Sequence, residues 1–285
     1  MEMDGDDMRE FFREKNPEKN YVIIIFILLC YNMLSIDIYL YLNLKDNEVQ
    51  ASEIEYKIDK AINEGVVEKP LRYKVIDEDK VFAEEAYKSD GKKTAYLTFD
   101  DGPSNYVTPV ILDTLDKYNI KATFFVVGNM ALENREILKD EYRRGHSIGS
   151  HSYDHDYKNI YGSEDGFREE DRKSFQIIKD ILGDSFETRL FRFPGGSFET
   201  SKNRFKEILK EEGKVYVDWN ALNGDGEGQG FSEEWLFNRF KETAGSKDKI
   251  VILMHDTNAK ENTARVLERV IQYLNNEGYE FKSLK

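Results

Sequence analysis

The chain is 285 residues long with a formal net charge of -14, room for one domain of about 200 residues with its own core plus shorter appendages. The acidic balance argues against a generic nucleic-acid binder, which carries a basic footprint, so no nucleic acid is expected as a partner. Cys30 is the only cysteine, which excludes an intramolecular disulfide and a cysteine-based zinc site.

The first element in chain order is the apolar run YVIIIFILLCYNMLSIDIYLYLNL, Tyr21 to Leu44. It is long enough to cross a bilayer as a helix, which takes roughly 20 apolar residues. Without a small-residue cleavage site it reads as an uncleaved signal anchor, with Asn32 and Asp37 as its polar blemishes. Arg9, Arg13, Lys15 and Lys19 precede it and Lys45 alone follows at once, so the positive-inside rule places residues 1–20 in the cytoplasm and the rest outside. Residues 45–90 read as a stem with one short helix, Glu48 to Val67, and SDGKK at Ser89 to Lys93 marks the boundary of a domain spanning 91–285.

From Thr94 short apolar runs alternate with charged helical stretches. TAYLTF, KATFFVV, HSIGS, RLFRF, VYVDW, KIVILM and YEFKSL are the expected strands, and helices are expected near 107–118, 131–143, 164–182, 201–212, 232–244 and 263–277. Repeated strand–helix units of this kind predict an α/β domain with a mostly parallel sheet. Asp100 and Asp101, Arg192, Asp218 and His255 all fall where expected strands end, and in a barrel of parallel strands those ends converge on one face.

The chain has four histidines, three of them within GHSIGSHSYDH, Gly145 to His155. His151 and His155 lie four apart and could direct two imidazole nitrogens at one ion, with Asp101 adding an oxygen. The same spacing also fits hydrogen-bonded or solvent-facing histidines. Two adjacent acids after an apolar strand favour the first reading, since buried carboxylates are costly without an ion or donors. His146 precedes a strand and reads as a structural histidine.

TFDDG, HSYDH, RFPGG, DW and LMH stand in the order of the five motifs of the polysaccharide deacetylases, the NodB-homology or carbohydrate esterase family 4 group, and residues 91–285 resemble that family. The resemblance implies an irregular (β/α)7-type barrel and one divalent ion, zinc by expectation, with cobalt or another divalent ion as alternatives. It implies Asp101, His151 and His155 as metal ligands, Asp100 as catalytic base and Arg192 as the residue that holds it. Asp218 would orient His255, the acid that protonates the leaving amine, while Trp219 and Leu253 would line the substrate pocket and Leu253 receive the acetyl methyl. Gly195 stands where many relatives carry a bulkier residue. Its N–H would still serve the oxyanion, but the cleft is expected to be wider or more mobile there. NGDGEGQG, Asn223 to Gly230, reads as a flexible loop.

The activity implied is hydrolysis of N-acetyl groups from N-acetylglucosamine residues of peptidoglycan, with acetate released. N-acetylmuramic acid, chitin-like oligomers and O-acetylated polysaccharides lie within the same resemblance. A non-catalytic glycan-binding wall protein is the alternative of another class, and no protein partner is implied.

Overall fold

Strand β2 (Thr94–Asp100) organises the fold, and all seven of its residues are buried. The structure, a computed structural model, describes residues 80–285. The expected helices at 21–44 and 48–67 lie outside those residues. Among the described residues no helix is long and apolar enough to cross a membrane.

A short strand β1 (Lys80–Val81) precedes β2. After β2 come α1 (Val107–Lys117), β3 (Thr123–Val126), α2 (Gly128–Glu133), α3 (Arg135–Arg143), β4 (Ser147–Ser150) and α4 (Tyr157–Tyr161). Then follow α5 (Glu164–Leu182), β5 (Leu190–Phe191), α6 (Asn203–Glu211), β6 (Val215–Tyr216) and β7 (Ala221–Leu222). The chain closes with α7 (Glu233–Ala244), β8 (Lys249–His255), α8 (Glu261–Asn276), β9 (Glu280–Phe281) and β10 (Ser283–Leu284). The main sheet runs β6-β5-β4-β3-β2-β8-β7 with every pairing parallel, and β9 pairs with the start of β2. This is the α/β architecture with a mostly parallel sheet that the strand pattern predicts. Its two outer strands, β6 and β7, are joined by residues 217–220 and make no ladder with one another.

The period of two along each strand sorts the core. Leu97 and Phe99 of β2 and Ile250, Ile252 and Met254 of β8 face the helices, where they meet Ile111, Leu112 and Leu267. Burying each such side chain contributes about 1.5–3 kcal/mol. Tyr96 and Val251 point the other way, into a smaller inner cluster with Phe125, Leu190, Val217 and Leu284. Ala83 and Ala86 complete that cluster, and β1 pairs with β10. Residues 80–90 therefore belong to the folded unit, which begins no later than Lys80 rather than at Gly91. The small side chains of Ala83 and Ala86 pack against the inner face of the strands.

Several expected elements change on a smaller scale. The helix expected at 131–143 breaks at Asn134, whose side-chain amide donates to Pro103 O at 3.0 Å and Met130 O at 3.1 Å. YEFKSL divides into β9 and β10, which pair with β2 and β1 respectively. The two-residue β7 and the five-residue α4 are too short for periodicity to reveal.

Candidate active site

Asp100 lies beside His255 in the β2–β8 register, and Thr98 beside Leu253. By alternation these four share the inner face, at the carboxyl ends of the strands. Arg192, at the end of β5, is wholly buried and its guanidinium joins the two β2 residues, Thr98 and Asp100. Its Nη1 donates to Asp100 Oδ1 at 2.8 Å and Thr98 Oγ1 at 2.7 Å. Its Nε donates to Val217 O at 2.9 Å and Nη2 to Asp218 O at 3.2 Å, while the Phe125 ring stacks 4.1 Å away. Arg192 thus holds Asp100 and also satisfies carbonyls at the open seam after β6.

Asp101, His151 and His155 come together as the sequence predicts, with their ligand atoms all within 4.8 Å of one another. Asp101 and His155 have positive φ, 73° and 59°, a conformation costing on the order of 1–3 kcal/mol for a non-glycine residue and concentrated at functional sites. His151 Nδ1 donates to Arg192 O at 2.8 Å, which leaves a lone pair on Nε2. Both Nε2 atoms stand 3.4 Å from Asp101 Oδ1, a buried oxygen with no hydrogen-bond partner. An orphaned carboxylate oxygen facing two imidazoles fits a divalent cation such as zinc. Burial works against the Asp101 charge, but the surrounding imidazoles, His151 first and then His255 and His155, hold its carboxyl well below the usual range. Burial and then His151 lower the pKa of His155, against the pull of Asp101 and Asp100, so the ligating neutral ring is favoured.

His255 has a different partner from the one the sequence suggested. Its Nδ1 stands 2.7 Å from Asp225 Oδ1, and its backbone N–H donates to Asp225 Oδ2 at 2.9 Å. Thr263 Oγ1 donates to the same Oδ2 at 2.7 Å. Asp218, expected in that role, instead accepts from Ser197 N at 2.9 Å and Ser197 Oγ at 2.5 Å. The strand that should have carried Asp218 toward His255 stops at Tyr216, and the chain turns its carboxylate to the Gly195–Ser197 loop. Burial opposes a charge on His255, yet the hydrogen bond and charge of Asp225, with Asp101 and Asp100, raise its pKa to about 9.

The stretch read as a flexible loop is where Asp225 sits, buried at the start of a 3-10 turn that Lys260 Nζ anchors by donating to Asp225 O. A Cβ on Gly226 would stand 2.9 Å from His255 Cε1, so glycine there lets the turn close onto the imidazole. Leu253 lies on the inner face with 8 % exposure, compatible with a pocket wall. Trp219 is half-buried, edge-on to Phe198 at 5.3 Å. Gly195 is exposed, but Tyr157 fills the space beside it, which corrects the expectation of a wider cleft at that point.

Sequence reasoning missed Thr98, Asp225 and Asp256. Asp256 is buried, accepts from Thr108 Oγ1 at 2.6 Å and donates its backbone N–H to Asp100 O at 3.2 Å. Burial, with Asp101 and Asp100 adding to it against the Thr108 bond, pushes its carboxyl up to about 7. An acid directly after His255 was the available signal. His146 meets the structural expectation, its Nδ1 accepting from Ala122 N at 3.1 Å.

A polysaccharide deacetylase family model matches residues 87–217. The catalytic domain of a peptidoglycan N-acetylglucosamine deacetylase from Eubacterium rectale superposes with a TM-score of 0.63 at 36% identity, over 69% of this chain and 90% of that one. The chain belongs to the polysaccharide deacetylase family. A family 4 carbohydrate esterase from Streptococcus mutans gives a TM-score of 0.67 at 30% identity, over 73% of this chain and 93% of that one. Among curated relatives, a peptidoglycan-N-acetylglucosamine deacetylase of Listeria monocytogenes is 34% identical over 205 residues, 70% of this chain and 40% of the relative. The chain therefore spans well under half the length of that family member.

Proposed function

We propose that the chain hydrolyses N-acetyl groups on N-acetylglucosamine residues of cell-wall peptidoglycan and releases acetate. The observation that carries this reading is a donor set placed between two oppositely equipped side chains. Asp100, paired with Arg192, approaches His151 Nε2 at 3.8 Å, and His255, paired with Asp225, approaches Asp101 Oδ2 at 3.9 Å. One side offers a proton acceptor and the other a proton donor.

Asp101, His151 and His155 would hold a divalent ion, which when bound would supply Lewis-acid polarisation of the acyl carbonyl and a more acidic water. Asp100 accepts the proton of the attacking water, held in position by Arg192 and Thr98. His255, kept charged by Asp225, gives its Nε2 proton to the departing amine. In this reading the Gly195 N–H donates to the oxyanion, and Leu253 and Trp219 border the acyl group. Retention of both pairs weighs against a purely glycan-binding role.

The names of the bacterial relatives support peptidoglycan as the substrate. A membrane anchor over residues 21–44, with the N-terminus cytoplasmic and the catalytic domain outside, would hold the site against the wall. That part rests on the apolar run and its flanking charge.

The test is acetate release by the full chain from purified peptidoglycan and from chitin oligomers, with mass spectrometry of the glycan, with and without chelator, beside Asp100→Asn. Chelator-sensitive loss of acetyl groups from glucosamine residues, absent in the variant, is expected. Loss from chitin oligomers alone overturns the substrate, and acetate without a new amine overturns amide hydrolysis. The full chain is expected in the membrane fraction, and recovery in the supernatant overturns the anchor alone.

A further inference from the structure

Gly195 has φ of 72° and no side chain, yet the space it leaves is taken. A Cβ built there would lie 2.6 Å from Tyr157 Oη, 3.3 Å from Cε1 and 3.4 Å from Cζ. Tyr157 opens helix α4, two residues after His155, and Asp156 caps that helix by accepting from Lys158 N at 2.8 Å. The tyrosine ring stands edge-on to His155 at 5.7 Å and to Tyr161 at 5.6 Å.

The surroundings fix the loop side of this contact. Tyr161 Oη donates to Pro194 O at 2.7 Å, and the buried Lys202 Nζ donates to Pro194 O at 3.0 Å and Gly196 O at 2.5 Å. The same ammonium lies 4.5 Å from the Tyr161 ring centre. The loop is thus held from behind, while Tyr157 remains 50% exposed at the cleft. Tyr157 thus sets a half-exposed aromatic ring between His155 and the Gly195 backbone, and an aromatic side chain with one side open offers a large contact area to a ligand.

We propose that Tyr157 is a substrate-contacting residue that supplies the cleft wall missing at Gly195 and packs against the pyranose ring bearing the acetyl group. The wall is delivered from the loop that carries His155, not from the RFPGG segment. A pyranose presents axial C–H groups that suit an aromatic face, and Gly195 permits the ring to lie directly beside the backbone N–H proposed for the oxyanion. The identity of the sugar rests on the deacetylase reading, whereas glycan contact itself does not.

Two readouts on the full chain separate the possibilities: binding of N-acetylglucosamine oligomers followed by tryptophan fluorescence, and KM and kcat for acetate release, for wild type, Tyr157→Phe, Tyr157→Leu and Tyr157→Ala. Tyr157→Ala is expected to raise Kd and KM about tenfold, the scale of one aromatic contact, with kcat and bound metal nearly unchanged. Tyr157→Phe should stay within about threefold of wild type and Tyr157→Leu fall between. Unchanged Kd and KM in Tyr157→Ala overturns the proposal, as does a fall in kcat with lost metal at constant KM, which would make Tyr157 a support for His155. If Tyr157→Ala does not fold, the Leu-to-Phe ratio decides, equality overturning the aromatic contact. Wild type that binds oligomers but releases no acetate defeats the deacetylase reading and leaves the Kd series to judge Tyr157. Wild type that does neither defeats both.

Discussion

His255 and His146 are both enclosed by protein, yet their charges are driven in opposite directions. At His255, burial is overcome by Asp225, Asp101 and Asp100, and the pKa rises to about 9. At His146, burial acts first and is reinforced by the charges of Lys121, Arg144 and Lys80, so the pKa falls to about 3. The same imidazole is held charged at one end of the sheet and neutral at the other. Burial raises the cost of any charge, and the carboxylates within reach decide whether that cost is met.

The largest effect should come from breaking the carboxylate side of this contrast. Asp225→Asn keeps the shape of the turn but removes the charge at His255 Nδ1. Turnover at pH 8 is expected to fall about 100-fold, the scale of a lost general acid. Because His255 must be protonated to act, lowering its pKa moves the alkaline limb of the kcat profile to lower pH. A limb that stays in place would show that Asp100 and Asp101 suffice to charge the ring.

His146 sharpens the comparison from the other side, through stability. Its folded pKa is depressed to about 3, whereas an unfolded histidine titrates near 6.5. The sign follows directly: the stability is fully present above pH 6.5 and is lost as pH falls from there toward pH 3, since only the unfolded chain takes the proton. One proton is worth about 1.4 kcal/mol per pH unit, so His146 should cost about 2 kcal/mol between pH 6.5 and pH 5. His146→Asn, whose Oδ1 can accept from Ala122 N, removes this dependence while carboxylate contributions remain common to both proteins. Denaturant titrations at pH 7 and pH 5 check it, and identical losses in the two proteins would contradict neutral burial.

The two histidines also differ in how far sequence could foresee them. Asp101, His151 and His155 were legible because each lies in a short segment whose strand fixes where it emerges. Arg192 was legible for the same reason, although its hold on the β6 seam carbonyls was not. The acid that charges His255 was missed because it stands among glycines, in NGDGEGQG, where local pattern says only that the chain is free to turn. Asp218 looked the better candidate because it ends a strand-like run beside Trp219. What separates the two is the position of the turn against β8, which depends on Gly226 lying against the imidazole and on Lys260 anchoring Asp225 O. Tyr157 was missed for a related reason, since its neighbour across space, Gly195, is far from it in the chain. Non-local contacts that need a glycine for close approach leave no periodic trace.

Asp218→Asn asks whether any acid near the site will serve, and its effect should be the smallest. Asp218 holds Ser197 through two hydrogen bonds and lies on the Arg192 side of the cleft. An asparagine keeps an acceptor for Ser197 N–H and loses the charge-assisted bond to Ser197 Oγ, so the Gly195–Ser197 loop loosens without being released. A rise in KM of about threefold is expected, the equivalent of a fraction of one hydrogen bond. The alkaline limb should remain where wild type has it, because His255 answers to Asp225. A limb displaced as far as in Asp225→Asn would mean that the two carboxylates share control of His255, and that its charge depends on the summed field of the cleft more than on its hydrogen-bonded partner.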